Sequence, residues 1–313
     1  MHFLSWQTTS ALAEGFESRK PYLTRFENGN SDYYLGKADQ YERKDEPLQG
    51  IALCDSILHL SPKAVRAYAI KAHCLIDLKK MPEAWAVLQQ GLKIEGNQAD
   101  TYVSIGLWYE AKKDPGAAIK AYEKSIALNR HQVQAYHALA KICERTGAQG
   151  KALKAYDDLV ALNPAVIDSY IFRGEYQQRL GNLKAAITDY SSVLARTARN
   201  TNVLSKRAYL FYKLGMYQQA LADYAKVVQI NAYDQEALVS KAAVHHALKQ
   251  YKEGVVDTSE AMKLDPVDGR AYFWRAKNYL GSGQKAAADA DFKKAASLGY
   301  RGEGDAIGHP IID

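Results

Sequence analysis

The chain has 313 residues, of which 47% are hydrophobic and 24% charged, and carries a formal net charge of +6. These values are ordinary for a soluble folded protein. No apolar run approaches the roughly 20 residues that span a bilayer, and so mild a charge accepts an acidic partner without demanding nucleic acid.

The N-terminus, MHFLSWQTTSALAEG, has no basic region followed by a long apolar stretch. The segment ahead of the "ALA" at residues 11–13 is too short and too polar for an export signal, so the protein reads as cytoplasmic. An export signal upstream of Met1 would make it periplasmic instead. Residues 1–30 form a capping segment with Phe3, Leu4, Trp6, Phe16 and Phe26. They supply enough apolar surface to cover the first element after Ser31, as one or two short helices broken at Pro21.

From Ser31 the chain repeats itself every 34 residues. The blocks are 31–64, 65–98, 99–132, 133–166, 167–200, 201–234, 235–268 and 269–302, with no insertion between them. Position 8 of each block is Ala or Gly, from Ala38 to Ala276, and so is position 20, from Gly50 to Ala288. Position 4 is Tyr or Leu throughout. In a helix of 3.6 residues per turn, positions 4, 8 and 11 make one apolar stripe and positions 20, 24, 27 and 28 another. Turn residues fall between them, as in RTGAQ, RLGNL and KLGMY. Pro62, Pro164 and Pro266 stop the second helix. Each block therefore predicts a helical hairpin with small residues where its two backbones approach. One hairpin cannot bury both faces, so neighbours must stack. Residues 303–313 are too glycine-rich for a full helix. That leaves the last hairpin to be covered by this tail, by a second copy in a homo-oligomer, or by a partner.

The pattern, clearest in AYHALAKICERTGAQGKALKAYDDLVALNP (residues 135–164), resembles the tetratricopeptide repeat family over residues 31–302. The resemblance implies an all-α, right-handed α-solenoid superhelix of eight helix–turn–helix repeats. It further implies a concave groove lined by the first helices and a protein-binding scaffold rather than an enzyme. Some family members clamp a C-terminal carboxylate with Lys, Asn, Asn, Lys and Arg spread over three repeats. No three adjacent blocks match: the first offers Leu35 and Asp39, the sixth Ser205 and Tyr209.

Helices joined by a tight turn run antiparallel, so position 8 should face position 24 and position 7 should face position 23. Blocks five to eight carry Arg173 with Asp189, Arg207 with Asp223, Lys241 with Asp257 and Arg275 with Asp291. Blocks three and four carry Ile105 with Ala121 and Leu139 with Ala155. The charge is on both helices or on neither, which makes these pairs structural. Lys37 and Lys71 face Leu53 and Val87 and are expected to snorkel to solvent.

Nothing marks catalytic chemistry. There is no phosphate-binding glycine loop and no nucleophile elbow, and no cofactor is implied. The adjacent His245 and His246 diverge by about 100° on a helix and cannot chelate one metal. Cys54 and Cys143 sit at core positions as small hydrophobes, while Cys74 has no obvious place.

Positions 2, 5, 6, 9, 12 and 13 should line the groove. In blocks one to five, acids there outnumber bases nine to five, with Asp39, Asp100, Glu110 and Glu175 among the acids. In blocks six to eight the single acid Glu236 meets Lys206, Lys213, Arg270 and Lys277, beside Tyr209, Tyr212, Phe273 and Trp274. These eight basic and aromatic residues are the candidate contact set for a peptide or helix of another protein carrying acidic and apolar groups. Two other readings stand beside this one: an RNA-binding helical-repeat protein, and an accessory subunit of a secretion or envelope-assembly machine.

Overall fold

The computed structural model describes residues 31–43, 46–94, 98–162 and 164–302. The N-terminal capping segment and the glycine-rich tail lie outside the described residues. Sixteen α-helices and no strand occur among those described. They pair as α1 (Ser31–Arg43) with α2 (Pro47–Leu60), α3 (Val65–Asp77) with α4 (Met81–Ile94), α5 (Ala99–Ala111) with α6 (Pro115–Leu128), and α7 (Val133–Arg145) with α8 (Gln149–Leu162). The second half continues with α9 (Ile167–Arg179) and α10 (Leu183–Arg196), α11 (Thr201–Lys213) and α12 (Tyr217–Ile230), α13 (Gln235–Ala247) and α14 (Tyr251–Leu264), α15 (Gly269–Gly281) and α16 (Lys285–Ser297). Every first helix opens at position 1 of its block and every second helix at position 17.

Local chemistry sets these bounds. Asp114, Asn200, Asp234 and Asp268 cap α6, α11, α13 and α15 by accepting from backbone N–H groups of the first turn, which satisfies donors a helix start leaves orphaned. Position 15 ends the first helix in the left-handed region, with φ of +75° at Gly147 and +79° at Gly181. Position 16 then donates back to the carbonyl of position 11, as Ala148 does to Cys143 at 2.8 Å, closing a glycine-type helix stop. At Lys79, Lys113 and Lys249 a lysine holds that conformation, with φ of 59–60°.

The chain divides into two compact units, Met1–Leu162 and Asn163–Asp313. In the first, α2 packs on α3, α4 on α5 and α6 on α7; in the second, α10 packs on α11, α12 on α13 and α14 on α15. Small residues make the close approaches. A Cβ on Gly106 would lie 2.3 Å from the Tyr122 ring, and one on Gly174 would lie 2.9 Å from that of Tyr190. Position 8 does face position 24. Cys74 also finds its place: its sulfur lies over Gly50 of the preceding hairpin, 2.7 Å from where a Cβ would stand. All three cysteines are buried.

All four cross-helix ion pairs form. Arg173, Arg207 and Arg275 each hold their aspartate through two nitrogens, Arg275 at 2.7 and 2.8 Å, and Lys241 reaches Asp257 at 2.8 Å. Buried His245 completes that last cluster, its Nε2 3.3 Å from Asp257 and its Nδ1 2.8 Å from Gln250. Lys37 is exposed, with its ammonium over the Tyr41 ring. Lys71 departs from expectation. Its side chain is half-buried, and at the surface its ammonium meets exposed Asp55 of the preceding hairpin, because position 7 borders two hairpins and not one.

The outer face of α16 differs from its counterparts. Position 21 is Ile51, Trp85, Ile119, Leu153, Ile187, Leu221 and Val255 in the first seven repeats, each half-buried, but exposed Asp289 in the eighth. Position 28, aliphatic or Met in the first seven, is exposed Ala296. Exposed Lys285 stands at position 17. The eighth repeat thus presents a more polar outer face than the seven before it, the kind of face that capping repeats carry.

Candidate protein-interaction surface

The first helices present positions 2, 6, 9, 12 and 13 on one face, and the structure shows that many charges there are already engaged. Arg66 pairs with Asp39, and Arg145 with Glu110, one repeat back. In the second unit Lys206 pairs with Glu175, while Arg270 lies 3.1 Å from Asp268 and 3.8 Å from Glu236. Position 12 also anchors the core tyrosines. The Tyr122 hydroxyl donates to Glu110 at 2.5 Å, that of Tyr156 to Glu144 at 3.4 Å, and that of Tyr190 to Gln178 at 3.2 Å. Burial pushes the Tyr122 and Tyr190 hydroxyls well above the ordinary phenol range, with nearby Glu110 and Glu175 adding to the shift. Several of the acids and bases that gave the face its apparent charge asymmetry therefore neutralise one another within the stack.

The eight candidate contact residues separate accordingly. Lys206 is buried, with 5% of its side chain exposed, and its ammonium serves the fold. Tyr209 and Trp274 are buried too. Phe273 packs against Phe292 and Tyr300, with ring centroids 5.6 and 5.4 Å away, and Arg270 is held between Asp268 and Glu236. Tyr212 stays half-exposed beside Tyr217, ring centroids 5.5 Å apart. Lys213 is exposed, its ammonium 5.7 Å from the Tyr209 ring. Lys277 makes no ion pair with any described residue. It borders His246, whose ring lies 5.8 Å from that of Trp274 and 5.6 Å from that of Tyr251. Burial, and secondarily Lys277, hold the His246 imidazole below the ordinary histidine range. The second unit therefore brings Lys213, Tyr212 and Lys277 to its surface and draws Lys206, Tyr209 and Trp274 inside.

The first unit carries a feature that sequence reasoning missed. A cleft of about 440 Å³ opens among residues of its four repeats, with Asp39, Arg66, Ile70, His73, Asp100 and Gln132 in its walls. That volume lies within the roughly 300–1,000 Å³ of small-molecule and side-chain pockets. His73 Nε2 lies 2.8 Å from the fully buried Ser104 hydroxyl, and Gln132 Nε2 donates to Asp100. Positions 2, 6 and 9 of successive blocks were the only signal for it. Among the described residues no three His, Cys, Asp or Glu side chains cluster as a metal site, and no helix is long and apolar enough to cross a membrane.

Repeats of this geometry match known proteins. Two family models described as tetratricopeptide repeat fit the sequence, one at residues 99–132, 133–166 and 269–298 and the other at 173–236. The chain belongs to the tetratricopeptide repeat family. No curated protein sequence matches it. Among solved structures, the C-terminal part of a repeat-containing protein from Cytophaga hutchinsonii aligns with 74% of this chain and 95% of its own, at 18% identity and TM-score 0.62. YrrB, a tetratricopeptide repeat protein with an unusual peptide-binding site, aligns with 57% of this chain and 93% of its own, at 19% identity and TM-score 0.50. A match to the Cut9–Hcn1 hetero-tetramer of the APC/C covers 90% of this chain but 56% of that one, at 18% identity and TM-score 0.46. At these identities the likeness concerns the fold. Fold and family together mark the chain as a protein-interaction scaffold.

Proposed function

We propose that this chain is a non-enzymatic adaptor that holds a peptide or helix of another protein against the first helices of its second unit. The observation that supports this reading is Lys277, a cation without an ion partner among the described residues, set beside the aromatic group of His246, Tyr251 and Trp274. With exposed Lys213 and half-exposed Tyr212 it offers a partner both positive charge and rigid aromatic surface, the groups that dominate protein contacts. The occupant best suited is a segment with an acidic group next to an apolar one. Lys206 leaves the contact set because separating it from Glu175 would strand a buried charge.

A peptide array with acidic, basic and neutral segments tests this. Lys277→Glu should weaken the acidic–apolar spots by about tenfold, the order expected for one charge pair changing sign at a contact. Lys213→Glu should act in the same direction. Equal binding by wild type and both variants would end the reading. The RNA alternative gains no support, since Arg66, Arg145, Lys206 and Arg270 already face carboxylates. Steeply salt-dependent RNA binding would restore it. A cytoplasmic site of action belongs to the proposal and is checked by cell fractionation. Self-association through the last repeat draws nothing from the polar face of α16.

A further inference from the structure

We propose that the cleft of the first unit receives a basic side chain of an extended partner peptide, with Asp100 as its counter-ion. Two carboxylates stand in the cleft walls. Asp39 is met by Arg66. Asp100 accepts from the neutral Gln132 amide and faces no cation among the described residues. The cleft is therefore left with one uncompensated negative charge. Asp100 also sits in the first turn of α5, where the positive end of the helix dipole favours the ionised carboxylate. Ala69 and Ile70, both buried, give the cleft an apolar floor. That floor suits the aliphatic stem of a lysine or arginine, which lies along apolar surface while its head seeks charge.

An anion fits badly there, because the one cationic wall residue, Arg66, is engaged with Asp39. Residues of all four repeats of the unit contribute to the cleft lining. A strand-like segment crosses such a row of helices more readily than a compact ion fills it. This assignment rests on the protein-interaction reading but uses a surface separate from that of Lys277, so the two can fail independently.

The test uses the full chain and pools of short fluorescent peptides, random except for one fixed position holding Arg, Lys, Ala or Glu. By fluorescence polarisation, the Arg and Lys pools should bind about tenfold more tightly than the Ala and Glu pools, the order of one partly buried charge-assisted contact. Asp100→Asn should remove most of that preference. Gln134→Arg, at an exposed residue of the cleft lining, should do the same by placing a cation of the chain's own at the mouth. It disturbs no buried contact, so it decides the matter should Asp100→Asn fail to fold. Lys277→Glu, which acts on acidic segments at its own surface, should leave binding of the Arg and Lys pools unchanged. Equal binding of the four pools, or a preference that survives both cleft substitutions, overturns the assignment. Agmatine competing as well as a peptide would assign the cleft to a free cation and overturn the peptide. A wild type that binds no pool at all also overturns the assignment, while the Lys277 reading stands or falls on its own peptide array.

Discussion

Removing one member of the Arg275–Asp291 pair strands a half-buried charge, and that sets the expected outcome. Arg275→Leu or Asp291→Ala alone should cost about 1–3 kcal/mol in urea unfolding, because the remaining group loses its partner in a poorly hydrated place. The double substitution should cost less than either single one, since repeat four already holds the apolar pair Leu139 and Ala155 at these positions. A strictly additive cycle would refute the coupling. These pairs were legible in the sequence because both members lie in one hairpin at a constant separation of 16 residues. The rungs between hairpins were not. Arg66–Asp39, Lys206–Glu175 and Arg145–Glu110 are 27, 31 and 35 residues apart. No single offset reveals them, so charges that neutralise one another counted as a groove potential. His246 supplies a pH effect at the same scale. Its folded-state pKa lies below the ordinary 6.5, chiefly through burial, so between those two values the unfolded chain binds more protons than the folded one. Stability is then fully present above pH 6.5 and falls as the pH drops through the window below it. Thermal melts at pH 7 and pH 5 should show a smaller acid loss for His246→Leu than for wild type.

At the scale of the hairpin, the small residue at position 8 is what lets the tyrosine at position 24 lie between two helices. Gly106→Ala would place a methyl group 2.3 Å from the Tyr122 ring. The ring must shift, and its hydroxyl must then loosen its hold on Glu110. A loss of about 1–3 kcal/mol is expected from such overpacking, visible as a lower urea midpoint. Adding Tyr122→Leu should recover part of it; no recovery would place the strain elsewhere. Helix identity and register were readable because every block repeats the same steric demand. The placement of Cys74 was not, since its contact, Gly50, belongs to the hairpin before it and carries no side chain to announce the pairing. The cleft around Asp100 escaped for the same reason: its walls come from all four repeats, and periodicity within one block says nothing of how four of them converge.

Across the molecule, each unit builds its own buried core. The largest buried cluster among the described residues runs from Ala186 to Trp274 in the second unit, while the first unit holds several smaller ones. Because each hairpin leans only on its neighbours, stability is a sum of local terms and adjacent interfaces. The last such interface is closed by chemistry. Solenoids with matching apolar ends can add copies head to tail into open filaments. At the end of this one, a second molecule would have to strip water from Lys285 and Asp289 with nothing to replace it. Restoring the residues of the earlier repeats, with Asp289→Ile and Ala296→Leu together, should make the protein sediment faster as its concentration rises, while the parent stays dispersed. By that outcome, two exposed side chains on one helix would set how readily copies join, at no expense to the surfaces that would hold a partner.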